Sequence, residues 1–251
     1  GHDSTAGHSR PGPGEHQSKA WWDLLSSRFR RSITKRASRF RFRFGGAGSF
    51  FRTRPPRSHQ YHGSAGARTT TDKRTPVAAG LGGGSADAAA TILALDELHG
   101  TDLDTETQLG IAAAVGSDVP ALLHGGPVYA AGRGELLTPV HAVTSHWVVA
   151  PAPFAVRTPD AYAWWDEAPA TGPDPGALIA ALEAGNDERL GEALFDDLQA
   201  PVVARHPQIG DTIRAFTAAG ALGTVMTGSG PTVVALARHL AHADQLTDAV
   251  P

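Results

Sequence analysis

Residues 76–90 read PVAAGLGGGSADAAA, a run of glycines that feeds straight into an alanine-rich stretch. Gly80, Gly82, Gly83 and Gly84 leave a loop with almost no side chains. Glycine takes positive φ without steric cost and lets main-chain N–H groups come close to an anion. From 86 to 98 the pattern turns helical. Ala86, Ala89, Ile92, Leu93 and Leu95 recur at three-to-four spacing, and Gly100 is a suitable stop. A helix that begins on such a loop offers unpaired N–H groups and a dipole of about +0.5 charge. That combination suits a phosphate. Ser85 has two roles open to it: capping the helix, or turning its hydroxyl to a phosphate or a metal ion. The competing reading is a flexible turn before a packing helix. Two familiar phosphate motifs are excluded. A P-loop needs Lys and then Ser or Thr after its last glycine, and Ser85 follows Gly84 directly. A dinucleotide fingerprint counted from Gly80 or Gly82 would need its third glycine at Ser85 or Asp87.

The charge changes sign just before this loop. Residues 1–74 carry sixteen Lys/Arg against four Asp/Glu, a net +12, and residues 75–251 carry a net -15. The basic part is rich in Gly, Pro, His and Ser, with Trp21 and Trp22 and an Arg–Phe alternation over 39–44. Such a composition buries too little apolar area to offset chain entropy. Three readings compete: a stretch that does not fold and is foreign to the rest of the chain, a nucleic-acid-binding arm, and a membrane-surface segment. No apolar core follows a basic start as in a secretory signal, and no apolar run reaches the roughly 20 residues of a membrane span. Mean hydropathy is -0.19. With no cysteine in 251 residues, disulfides, thiolate zinc sites and thiol catalysis are excluded. The cytoplasm is the default expectation.

Two further segments carry chemistry. In 115–126, VGSDVPALLHGG, Gly116 and Pro120 bracket Asp118 and place it in a turn. Its carboxylate could cap a helix, bind a metal or act as a general base. Beside a phosphate loop, one aspartate able to accept a hydroxyl proton is what phosphoryl transfer to an alcohol uses. In 222–237, LGTVMTGSGPTVVALA, two β-rich runs at 224–226 and 232–236 flank Gly228, Ser229 and Gly230. This is either an ordinary connection or a second anion-binding turn.

Elsewhere, 109–115 reads as a short helix and 146–150 as a strand. Thr158-Pro159 reads as an N-cap and first-turn pair for a helix through Trp165. Residues 175–183, 187–198 and 208–219 read as helices. Trp164 and Trp165 read as packing residues, and His239 and His242 as solvated surface. Alternating helices and short strands argue for α/β layers.

Taken together, 73–90 (KRTPVAAGLGGGSADAAA), 116–120 (GSDVP), 132–139 (GRGELLTP), 197–199 (DLQ) and 227–232 (TGSGPT) resemble the GHMP kinase superfamily. The resemblance is closest to its isoprenoid branch, which phosphorylates the 2-hydroxyl of 4-diphosphocytidyl-2-C-methyl-D-erythritol in the non-mevalonate pathway. It covers about 72–250. It implies an α/β (α+β) fold of two lobes. The N-terminal lobe would be ribosomal-protein-S5-like and incomplete over 72–143, the C-terminal lobe ferredoxin-like over 144–251, and 1–71 would lie outside both. It implies ATP and Mg2+. Lys73, Pro76, Gly80, Leu81, Gly82, Gly83, Gly84, Ser85 and Ala86 would bind ATP, with Ser85 a candidate Mg2+ contact. Asp118 would be the catalytic base. Gly228, Ser229 and Gly230 would help hold the small-molecule substrate. Two departures stand beside it. The family's early P-x-K-x-N-like strand and its cytidyl-binding segment are not found in 1–71, and the family continues past residue 250 to a last strand. The expectation is therefore a kinase whose first third is an out-of-frame or foreign translation and whose end is clipped. The alternatives are an inactive kinase fragment and a protein that binds nucleic acid through its basic arm.

Overall fold

The computed structural model describes residues 75–250, together with Ala67 and Thr71. The Arg–Phe alternation, the rest of the basic arm and Lys73 lie outside the described residues.

Three helices and a hairpin come first. Helix α1 is Gly83–His99, α2 is Thr105–Val115 and α3 is Val119–His124. They meet through Ala89, Ala112, Val119 and Leu122, with Ala88, Ile92 and Leu123 at the margin. The alanines let the backbones approach closely. The buried stripe of α1 is narrower than its periodicity predicts: Ala86 is exposed and Leu93 is 43% exposed. Helix α2 begins earlier than expected because the Asp104 carboxylate accepts the Thr107 N–H at 2.8 Å and caps it. Strands β1 (Val128–Ala131) and β2 (Leu136–Pro139) then form an antiparallel pair, Val128 opposite Pro139.

The second unit is a three-stranded antiparallel sheet with helices on both faces. Its strands are β3 (His146–Ala150), β4 (Gly223–Met226) and β5 (Val233–Ala237), in the order β3-β5-β4. Central β5 is buried along its whole length, and period two sorts its side chains. Val233, Ala235 and Ala237 join the main core with Phe216, Ile209 and Val202. Leu236 faces the opposite cluster, with Leu178 and Leu190. The helices are α4 (Thr158–Glu167), α5 (Gly176–Ala184), α6 (Asp187–Glu192), α7 (Gln199–Arg205), α8 (Pro207–Ala218) and α9 (Leu240–Asp248). The layered mixture of helix and sheet is the expected class.

Strand β3 spans the predicted residues. The helix expected over 187–198 is shorter: α6 stops at Glu192, and α7 starts only at Gln199. Between them the buried Asp196 accepts the Leu198 N–H at 2.8 Å, an Asp-type turn that competes with helical bonding. Of the two histidines read as solvated, His239 is exposed, and the reading is corrected for His242 alone. His239 caps α9, its Nδ1 accepting the His242 N–H at 3.1 Å, and His242 is buried, its Nδ1 accepting the Arg238 N–H at 3.1 Å. The tryptophans do pack: Trp165 is buried and donates Nε1–H to the Ala170 carbonyl at 3.0 Å, and Arg205 lies over Trp164. Among the described residues no helix is long and apolar enough to cross a membrane.

Candidate active site

In the first glycine loop every second residue is left-handed: Ala78 (φ 53°), Gly80 (φ 69°) and Gly82 (φ 55°). Left-handed residues also occur in main-chain anion nests, where successive N–H groups face one side. Left-handed Gly82 occupies the cap position of α1, with no side-chain cap. Helix α1 therefore starts at Gly83, and Ser85 is its third residue rather than its cap, which corrects that alternative. The N–H groups of Gly83, Gly84 and Ser85 belong to the first turn, which has no intrahelical acceptors. The 17 residues of α1 add their dipole at this end. Among the described residues, a Cβ at Gly84 would meet no atom within 4 Å beyond its own turn of the helix, so the space beside it is open.

The second glycine loop joins β4 to β5. Its N–H groups are partly used within the turn: Thr227 N–H donates to the Thr232 carbonyl and Gly230 N–H to the Thr227 carbonyl, both at 2.9 Å. The two loops touch, backbone to backbone. The Thr227 hydroxyl donates to the Gly80 carbonyl at 3.0 Å, and a Cβ at Gly80 would lie 2.2 Å from the Thr227 carbonyl oxygen. Gln199 Oε1 accepts the Met226 N–H at 2.8 Å and anchors β4 just before the loop. Thr158 is not the cap of α4: Arg157 takes that position, and the Thr158 and Ser229 hydroxyls hydrogen-bond at 2.9 Å.

Asp118 occupies the cap position of α3 (φ -93°, ψ -9°), yet its carboxylate makes no cap bond to that helix. It is half-buried. It lines a cleft of about 310 Å³ together with residues 76–85, Gly228 and Ser229. Ala86 and Gly230 do not line this cleft. Thr158, Tyr162 and Leu198 do, and sequence reasoning missed all three as site residues. The Thr-Pro pair at 158–159 was the available signal, since it marks a helix start that can face a cleft.

Next to Leu198 sit two acids. Burial pushes the Asp196 carboxyl well above its ordinary value, and the neighbouring Asp197 charge adds to this. Among the described residues its Oδ2 has no hydrogen-bond partner, as suits a neutral acid. Burial also raises Asp197, against the Gly172 N–H that its carboxylate accepts at 2.7 Å. Among the described residues no group of three His, Asp or Glu side chains could hold a metal ion.

Comparison with known proteins gives a consistent picture. The model for the GHMP kinase N-terminal domain matches residues 52–126, and that for the C-terminal domain matches 178–251. The chain is 45% identical over 188 residues to a 4-diphosphocytidyl-2-C-methyl-D-erythritol kinase of Salinispora tropica, covering 72% of this chain and 60% of that one. It is 44% identical over 192 residues to the enzyme of that name from Leifsonia xyli, covering 72% and 63%. The chain thus spans about 60% of the length of the curated relatives it matches. Among solved structures, a 4-(cytidine 5'-diphospho)-2C-methyl-D-erythritol kinase aligns with TM-score 0.61 and 27% identity, covering 95% of this chain and 76% of the other. Homoserine kinase from Cytophaga hutchinsonii, at 21% identity, TM-score 0.56 and coverage of 70% and 62%, shares the fold. Two domain models in the family's own order, together covering more than half of the sequence, establish that the chain belongs to the GHMP kinases.

Proposed function

We propose that this chain is a small-molecule kinase that uses ATP to phosphorylate the 2-hydroxyl of 4-diphosphocytidyl-2-C-methyl-D-erythritol. The observation that carries the reading is the shared cleft: the glycine loop, Asp118 and Ser229 line one cavity of about 310 Å³. The relatives of that name support the choice of substrate. On this reading the lobe boundary falls at 143/144, between β2 and β3.

The residues suit a triphosphate. The alternating loop, the first turn of α1 and the open space at Gly84 offer N–H donors with room for an anion before them. ATP supplies the γ-phosphoryl group, and Mg2+ screens the phosphate charge; Ser85 is the residue of the loop whose hydroxyl would reach that ion. Asp118 accepts the proton of the substrate hydroxyl as its oxygen bonds to the γ-phosphorus and the bond to the β-phosphate oxygen breaks. The Ser229 hydroxyl, oriented by Thr158, faces the substrate side, where Tyr162 offers an aromatic surface for a pyrimidine ring. A general base contributes about a hundred- to ten-thousand-fold. The rest of the acceleration comes from holding the reactants and offsetting charge.

The test is a substrate panel. Purified protein is given Mg-ATP with the cytidyl diphosphate substrate, homoserine or mevalonate, and the product is identified by phosphorus NMR. Phosphorylation of the first alone supports the reading. Turnover of another alcohol, or of none, overturns it.

A further inference from the structure

Gly134 lies in the turn between β1 and β2 with φ +107°, a conformation that side-chain-bearing residues rarely adopt. A Cβ there would sit 2.0 Å from the carbonyl oxygen of Ser117 and 2.9 Å from its carbonyl carbon. Both are main-chain atoms, so no flexible side chain can move aside. Ser117 immediately precedes Asp118. The hairpin turn thus rests, backbone on backbone, against the loop that carries the proposed base.

The turn is itself closed. Gly134 N–H donates to the Ala131 carbonyl at 3.1 Å, and Arg133 N–H donates to Glu135 Oε2 at 2.7 Å. The Glu135 carboxylate also fills the space a side chain at Gly132 would need, 2.7 Å from its Cβ position. On the C-terminal side the loop leads into buried Val119 and Pro120 of α3. Helix α3 has only six residues and holds the loop weakly by itself. The segment 116–118 is therefore gripped between a helical core and the hairpin turn.

We propose that the β1–β2 turn is a positioning element for Asp118, with Gly134 as its point of contact and Glu135 as the clamp that sets the turn's shape. The inference rests on the kinase reading. Neither residue lines the cleft; Gly134 meets the main chain of Ser117, and Glu135 lines a smaller cavity with Ser117 and Pro120. It gives a task to the 132–139 segment, which the cleft itself leaves unused.

The experiment compares Gly134→Ala and Glu135→Gln in the full chain by two readouts. In hydrogen exchange, the amides of 117–122 include Val119, bonded to the Gly116 carbonyl, and Leu122, bonded to the Asp118 carbonyl. They should exchange about tenfold faster in Gly134→Ala, with β5 unchanged. Glu135→Gln keeps the side-chain shape and should show the same pattern more weakly; it carries the test if the alanine variant does not fold. In turnover, kcat should fall roughly ten- to a hundredfold while KM for ATP stays within about twofold, the signature of a displaced base. Added to Asp118→Asn, Gly134→Ala should cost nothing more, whereas a general structural lesion would cost the same in either background. Unchanged exchange over 117–122 in both variants, or an equal kcat loss with and without Asp118, would overturn the proposal. A wild-type chain that forms no ADP, with faster exchange at 117–122 in the variants, instead sinks the kinase reading and leaves the mechanical coupling standing.

Discussion

At 80–85 the glycines free main-chain N–H groups; at 227–230 they let a tight turn close on itself. In the first loop, left-handed Ala78, Gly80 and Gly82 lead into a helix start that has no side-chain cap. In the second, Gly228 and Gly230 are also left-handed, but Thr227 and Gly230 N–H groups are bonded inside the turn. The same residue type therefore builds what the proposed function takes as a ligand cradle in one place and a brace in the other. The brace supports the cradle through the Thr227 hydroxyl and the close backbone approach at Gly80. What separates the two roles is where the donors go, and glycine content alone does not reveal that.

The sharpest way to break this contrast is Gly80→Ala. A Cβ there meets the Thr227 carbonyl at 2.2 Å and must sit at φ 69°. The cradle and brace cannot both keep their places, and stability should fall by at least about 2 kcal/mol, read as denaturant midpoint, with ATP binding lost. Gly84→Ala sharpens the contrast from the other side. Among the described residues no atom beyond its own turn lies within 4 Å of that Cβ, and alanine favours a helix by about 1 kcal/mol. Thermal stability should hold or rise while KM for ATP increases about tenfold or more, because only a ligand uses the space. Unchanged ATP affinity in Gly84→Ala would remove the cradle's claim.

A smaller effect lies at Asp196. Its carboxyl is raised by burial, so the folded state holds a proton that the unfolded chain releases near its ordinary pKa of about 3.9. The folded state then binds more protons, and stability falls as pH rises from that value toward the raised one. Asp196→Asn should abolish this slope and raise Tm at neutral pH by roughly 2–4 °C, measured by thermal melts from pH 5 to pH 8. A variant that keeps the wild-type slope would place the pH dependence elsewhere.

Much of this was legible because it is local. The loop-to-helix junction at 80–86, strand β3 and the turn at Asp118 each declare themselves within a dozen residues. Backbone freedom, period-two patterning and turn chemistry act at that range. The helix break at 193–198 was missed because a single buried Asp196 overrides a helical pattern. Thr158 was read as a cap because its partner, Ser229, lies 71 residues away in the chain. The contact between Gly134 and Ser117 was invisible for the same reason. Glycines announce where a backbone can bend, but what presses on them is a tertiary fact.

On the proposed reading the cleft divides its labour: the first glycine loop would take the triphosphate and Asp118 the proton. The most direct test is ADP release from Mg-ATP and the cytidyl diphosphate substrate, with ATP affinity measured alongside, for wild type and Asp118→Asn. With labour divided in this way, kcat falls at least about a hundredfold while ATP affinity stays within about twofold. An Asp118→Asn protein that turns over at the wild-type rate, or one that loses ATP binding, would contradict it.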